Sequence, residues 1–136
     1  EVEANIAKFK TLREQFTNIS LQVCSTINIF NVMYLDELAE WIDKQGFDFV
    51  YWNMLHDAPV HSIISLPKEA KKIVYNKLVN SNSNHVEEFK RTADFMMQRE
   101  GVSHYDLLLD IKRIDRRRGH SLKNNHVELV MAIGFE

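Results

Sequence analysis

The chain has 136 residues, 45% of them hydrophobic and 26% charged, with a formal net charge of -2 at pH 7. That length accommodates one domain with a continuous core, and the nearly balanced charge (isoelectric point near 6.3) gives no global attraction for nucleic acid or a membrane surface, so such binding would need a local patch. A single cysteine, Cys24, rules out a disulfide within the chain and any zinc or iron–sulfur site built from its cysteines alone.

The lone thiol suits a reducing cytoplasm. No apolar run approaches the roughly 18 residues of a membrane span, and no charged-then-apolar leader opens the chain. The expectation is a cytoplasmic protein without membrane contact. The first residue is Glu1 rather than methionine, which fits a processed start or a piece of a longer protein.

In chain order, residues 1–16 place Val2, Ile6, Phe9, Leu12 and Phe16 in one apolar stripe, the mark of an amphipathic helix. Residues 19–30 (ISLQVCSTINIF) change the period to two. Leu21, Val23, Ile27 and Ile29 share one face and Gln22, Cys24, Thr26 and Asn28 the other, which predicts a strand. A helix follows over 36–45, with Leu35, Leu38, Ala39 and Ile42 on one side and Gly46 as its terminator. Residues 47–55 (FDFVYWNML) are apolar at nearly every position, as in a strand of a parallel sheet covered on both faces.

Pro59 and Pro67 bracket a non-helical stretch, and Pro67 is placed to be the first residue of a helix through Val79. NSNSN, residues 80–84, is a loop. A further helix carries Val86, Phe89, Ala93 and Met97 in register and is broken by Gly101. Another begins at Ser103 as N-cap and stops at Gly119. The closing ELVMAI, residues 128–133, reads as strand or helix alike. The order helix, strand, helix, strand is a βαβ pattern. The fold class is therefore α/β, a single predominantly helical domain over 1–136 with a small parallel, half-barrel-like sheet.

Candidate chemistry is sparse. His56, Asp57 and His61 are residue types that ligate zinc or iron, and they also suit a strand end reaching the surface. The polar face of the first strand is either a solvent-facing side or the interior of a barrel, where ligands bind near strand carboxyl ends. Cys24 reads as a small buried residue with no local sign of thiolate activation. Lys112, Arg113, Arg116, Arg117 and Arg118 crowd the end of a helix. Cations there oppose the helix dipole, and they also make a patch for nucleic acid or a protein partner. With only four glycines and no Gly-rich phosphate loop, Gly-x-Ser-x-Gly elbow or His-Glu-x-x-His motif, nucleotide-binding and ordinary hydrolase classes find no support.

The run "STINIFNVMYLDELAEWI…FDFVYWNMLHDAPVHSIISLPKEAKK", residues 25–72, resembles the later strands of the partial (β/α) barrel of radical S-adenosylmethionine proteins of the twitch type. A strand ending in Asn leads into a Leu-rich helix. An aromatic strand then enters a His/Pro loop and a Leu-Pro helix start. "IKRIDRRRGHSLKNNHVEL", residues 111–129, is similar to the end of those chains, through Asp115 and Arg118 in an Asp-x-x-Arg pattern followed by a final Glu-Leu.

The resemblance implies that Asn28, Asn31, Asn53 and His56 lie at strand ends facing cofactor and substrate. It also implies S-adenosylmethionine and a [4Fe–4S] cluster in the complete barrel. The Cys-x3-Cys-x2-Cys triad that holds such a cluster is absent, and one thiolate cannot replace it. The expectation is a C-terminal half, without catalysis or cofactor of its own, that self-associates through exposed strand edges. The alternatives are a stand-alone protein binding nucleic acid or a protein partner through the Arg-rich helix end, and a metal protein using His56, Asp57 and His61.

Overall fold

The computed structural model describes residues 1–135. Its two strands, β1 (Gln22–Ile27) and β2 (Phe49–Met54), pair in parallel, with Gln22 opposite Phe49 and Ile27 opposite Met54. A parallel pair needs a crossover. Here it is a turn of 3-10 helix at Val32–Tyr34 followed by α2 (Leu35–Gln45). In α2 the acidic Asp36 and Glu37 stand in the first turn, Lys44 in the last, and Gly46 closes it in the left-handed region at φ 64°. Leu35, Ala39 and Ile42, spaced four and three apart, are its buried stripe.

Both strands are shorter than the predicted 19–30 and 47–55. A ladder extends only as far as its partner. At its start the Leu21 carbonyl accepts from Asp48 N and Phe49 N, and beyond its end Asn28 and Asn31 turn the chain.

One face of the pair is covered. Trp52 meets the Phe89 ring edge-on at 5.5 Å between centroids and donates from Nε1 to His85 Nδ1 at 3.1 Å. The other face is open: Gln22, Cys24 and Thr26 of β1 and Phe49, Tyr51 and Asn53 of β2 are exposed. This corrects two expectations. β2 is not covered on both sides, since Phe49 is 53% and Tyr51 50% exposed. Cys24 is exposed rather than buried, because it alternates with the inward-facing Val23 and Ser25.

After β2 come two further 3-10 turns, Pro59–His61 and Ile63–Ser65, then α3 (Lys68–Val79), α4 (Val86–Met97) and α5 (His104–Arg118). Pro67 caps α3 from just outside and is not its first helical residue. Ser103 Oγ accepts from Asp106 N at 3.1 Å, and Gly119 at φ 62° ends α5, both as the sequence suggests. The closing stretch is helical: α6 (Leu122–Asn125) and α7 (Val127–Ile133). Its ambiguity resolves through Leu129 and Ile133, four apart and both buried.

The core joins α2, α3, α4, α5 and α7 through Leu35, Val74, Phe89, Met96, Leu107 and Leu129, each without solvent exposure. α3 packs on α4 and on α7. No helix among the described residues is long and apolar enough to cross a membrane.

α1 (Val2–Gln15) is held differently and has no buried residue. Its stripe of Val2, Phe9, Leu12 and Phe16 is exposed. Polar contacts attach it to α2 and the following turn: Trp41 Nε1 donates to Glu3 Oε1 at 3.1 Å, and Arg13 Nη1 reaches the Gly46 carbonyl at 3.0 Å and Asp48 Oδ1 at 3.1 Å. The Leu21 N–H, at 2.7 Å, and then Arg13 hold the Asp48 carboxyl below its ordinary 3.8.

Two buried details are testable. Ser65 Oγ donates to the Pro59 carbonyl at 2.6 Å and accepts from Val102 N at 3.1 Å, and a Cβ on Gly101 would lie 2.7 Å from both Ser65 Cα and N. Gly101→Ala is therefore expected to cost about 1–3 kcal/mol by forcing backbone apart; an unchanged urea midpoint would contradict that close approach.

The Lys71 ammonium is buried and donates to the Arg99 carbonyl at 2.8 Å. Desolvation lowers its pKa below 10.5, against a smaller opposing pull from Glu100. The unfolded chain thus keeps this proton to higher pH than the folded one. Stability gains with pH between the folded value and 10.5. Lys71→Met should remove that rise from the stability profile, whereas parallel profiles for the two proteins would refute it.

Candidate functional site

Parallel strands deliver their carboxyl ends to one side of a sheet, and the loops leaving them meet there. After β1, Asn28 Oδ1 accepts from Phe30 N at 2.9 Å, Asn31 Oδ1 accepts from Asn28 N at 2.9 Å, and Asn31 Nδ2 donates to the Thr26 carbonyl at 2.9 Å. These amides build the turn. The Leu55 N–H, just past β2, donates to the Ile27 carbonyl, and Ile29 N donates to the His61 carbonyl, each at 2.9 Å. The two post-strand loops are thereby stitched together.

α5 and its following turn close the space opposite. His61 Nε2 lies 2.7 Å from Asp110 Oδ2, with the Phe30 ring 5.5 Å from the imidazole and Arg113 Nη1 3.8 Å from Asp110 Oδ1. At the end of α5 both Asp115 oxygens accept from the Leu122 N–H, at 3.1 and 3.0 Å. That capping interaction orients α6 after the Gly119 reversal. A cavity of about 610 Å³ results. The buried Ile111 and Leu122 are among its apolar lining, together with Phe30, Leu55 and Ile114. Its polar lining includes Asn28, Asn31, His61, Arg118, His120 and His126, of which Arg118 and His120 are exposed. His126 packs its ring 5.4 Å from that of Tyr34, and its Nδ1 is shut off from solvent without a hydrogen-bond partner.

The structure divides the residues singled out in the sequence. Asn28 and Asn31 meet at the cavity. Asn53 stands on the open sheet face, with Nδ2 2.6 Å from Cys24 Sγ, and His56 is exposed, edge-on to Phe95 at 5.2 Å between centroids. His56, Asp57 and His61 do not converge, because His61 is turned to Asp110; among the described residues no group of three or more His, Cys, Asp or Glu is placed to hold a metal ion. The exposed Cys24 stands alone on its strand, so these residues do not fit a [4Fe–4S] cluster.

The basic run also divides. Lys112 Nζ lies 5.9 Å from the Phe135 ring centroid, Arg113 leans toward Asp110, and Arg116 and Arg117 point no charge at any carboxylate among the described residues. Arg118 alone lines the cavity.

Sequence reasoning passed over Asp110 and noted His120 and His126 only as further histidines. The basic run 112–118 and the Asp115–Arg118 pattern pointed to this end of α5, the latter because residues three apart share a helix face. No family model, curated protein or solved structure matches the chain.

Proposed function

We propose that this chain is a sheet-bearing part of a larger parallel β/α assembly, of the kind formed by the C-terminal half of a radical S-adenosylmethionine barrel. In this reading it supplies binding surface and carries out no catalytic step by itself. The observation that carries it is the open face of the β1–β2 pair. Gln22, Cys24, Thr26 and Asn53 make that face polar, and Phe49 and Tyr51 add half-exposed aromatic rings. Helices cover only the opposite side, as they do around a parallel barrel whose inner face receives ligand.

The strand edges support the same reading. In a parallel ladder, alternate residues bond to alternate sides. The acceptance of Phe49 N by Leu21 O and of Leu55 N by Ile27 O turns the backbone groups of Gln22, Cys24 and Thr26 away from β2. Those of Val50, Trp52 and Met54 face away from β1 in the same manner. The Thr26 carbonyl accepts from the Asn28 and Asn31 side-chain amides, but neither edge has a partner strand, and edges of this kind recruit further strands, which in a solution of this chain alone are those of a second copy.

A second reading, contact with nucleic acid or a protein partner through the end of α5, is favoured by the exposure of Arg116, Arg117 and Arg118 in its last turn. It requires oligonucleotide binding that falls steeply as salt rises; binding indifferent to salt would remove it.

For the principal reading, sedimentation equilibrium should show concentration-dependent association of the 136-residue chain. Tyr51→Lys, which places a charge on the open face without touching the helical core, should weaken that association by about tenfold or more. A monomer at every concentration, with the wild type and the Lys variant alike, would contradict it.

A further inference from the structure

We propose that Lys71 is a nucleophilic amine that captures a small apolar aldehyde as an imine. The aldehyde's body lies against Ile64, Leu66 and Val102, in the cavity between α3 and the turn joining α4 to α5. This inference does not rest on the sheet-completing role, because no residue of either strand lines that cavity.

Lys71 occupies a core position. With Ala70, Val74 and Leu78 it forms the buried stripe of α3, and it is only 7% exposed. An amine on such a stripe must find partners or lose its charge. Nζ finds one, the Arg99 carbonyl at 2.8 Å, and forms no ion pair among the described residues. An ammonium would bring three donors to that single acceptor, whereas a neutral amine brings two and keeps a lone pair. Desolvation disfavours the ammonium, and Glu100 opposes it by a smaller amount. A lysine desolvated against apolar walls is the usual form of an amine that attacks carbonyl carbon.

The cavity gives that lone pair a place to act. It holds about 590 Å³, within the range of small-molecule sites. Ile64 and Leu66 are buried in its wall and Val102 is half-buried. The neutral polar groups there are already engaged. Ser65 Oγ bonds to the Pro59 carbonyl and Val102 N, Ser103 Oγ bonds to Asp106, and His104 Nε2 donates to the Ile133 carbonyl at 2.7 Å. The charged Lys68, Arg99 and Glu100 line it from exposed positions. An uncharged carbonyl compound with an apolar body suits these walls, and an aldehyde is the least hindered kind at the carbon attacked.

The chemistry is a condensation. The Nζ lone pair attacks the carbonyl carbon, a proton passes from nitrogen to the new alkoxide oxygen, and the carbinolamine loses water to leave a C=N bond. Amine and aldehyde give imine and one water, so no oxidant or reductant is consumed.

Benzaldehyde at neutral pH, with cyanoborohydride to fix the imine as a benzylamine, tests this on the whole chain, read at each lysine by peptide mass spectrometry. Lys71 should react about tenfold faster than Lys72, which is exposed and paired with Glu69, and than Lys68, which is exposed and lines the same cavity. The preference should vanish in urea, and it should shrink as the pH nears 10.5, where exposed amines also lose their protons. Glycolaldehyde, whose body is polar, should show a smaller preference for Lys71. Rates that are equal, or ordered by exposure with Lys68 and Lys72 ahead, would mean that Lys71 only anchors α3 to the Arg99 carbonyl and would overturn the proposal. A preference that survives in urea would trace it to the local sequence and remove the cavity's role. An equal preference with glycolaldehyde would reject the apolar contact.

Discussion

Backbone N–H and C=O groups must find partners, and a ladder of two strands satisfies only half of those it contains. That constraint shapes this molecule. β1 and β2 exchange their inner hydrogen bonds, leave both outer edges without a partner strand, and present one face to solvent. The helices and the sheet share one core: α3 packs on α4 and on α7, and Ile27 of β1 is buried in the same cluster as Val74, Phe89 and Leu129. On β2 the covered face joins that core through Trp52 and its contacts with His85 and Phe89. A well-packed helical layer thus supports a sheet fragment that is covered on one side only.

The same topology makes the cavity. Parallel strands bring two loops out together, and the cross-loop bond from Ile29 N to the His61 carbonyl fixes them to each other. His61 then reaches Asp110 on α5, so a strand-end loop is tied to the helix that supplies Arg118. The Asp115 carboxylate turns the chain into α6 and brings His120 and His126 back to the same space. Asn28 and Asn31, which line the cavity, also shape the loop through their side-chain hydrogen bonds. The residues left with free donors are on the opposite wall.

Local signals were the ones legible in the sequence. Apolar spacing and end signals located α2, α4 and α5, and Gly46, Ser103 and Gly119 act at the helix ends that their chemistry suggests. Period-two alternation in β1 separated two faces correctly. It could not say which face would be covered, since that depends on Trp52 and α4 far along the chain. For the same reason Cys24 was misplaced and the stripe of α1 read as a packing face, though it lies exposed. Strand ends were overextended because their length is a property of the pair. The His61–Asp110 contact spans 49 residues, and no spacing rule within a single segment reports it.

Hydrogen exchange at the outer edges of the sheet tests the central claim most directly. The amides of Gln22, Cys24 and Thr26 on β1, and of Val50, Trp52 and Met54 on β2, face away from the paired ladder. If the sheet is built to take further strands, the protection of these amides should rise with protein concentration. On at least one edge it should approach that of the inner amides of Tyr51 and Asn53. Outer amides that exchange freely at every concentration, beside inner ones that stay protected, would mean that the two strands stand complete as they are.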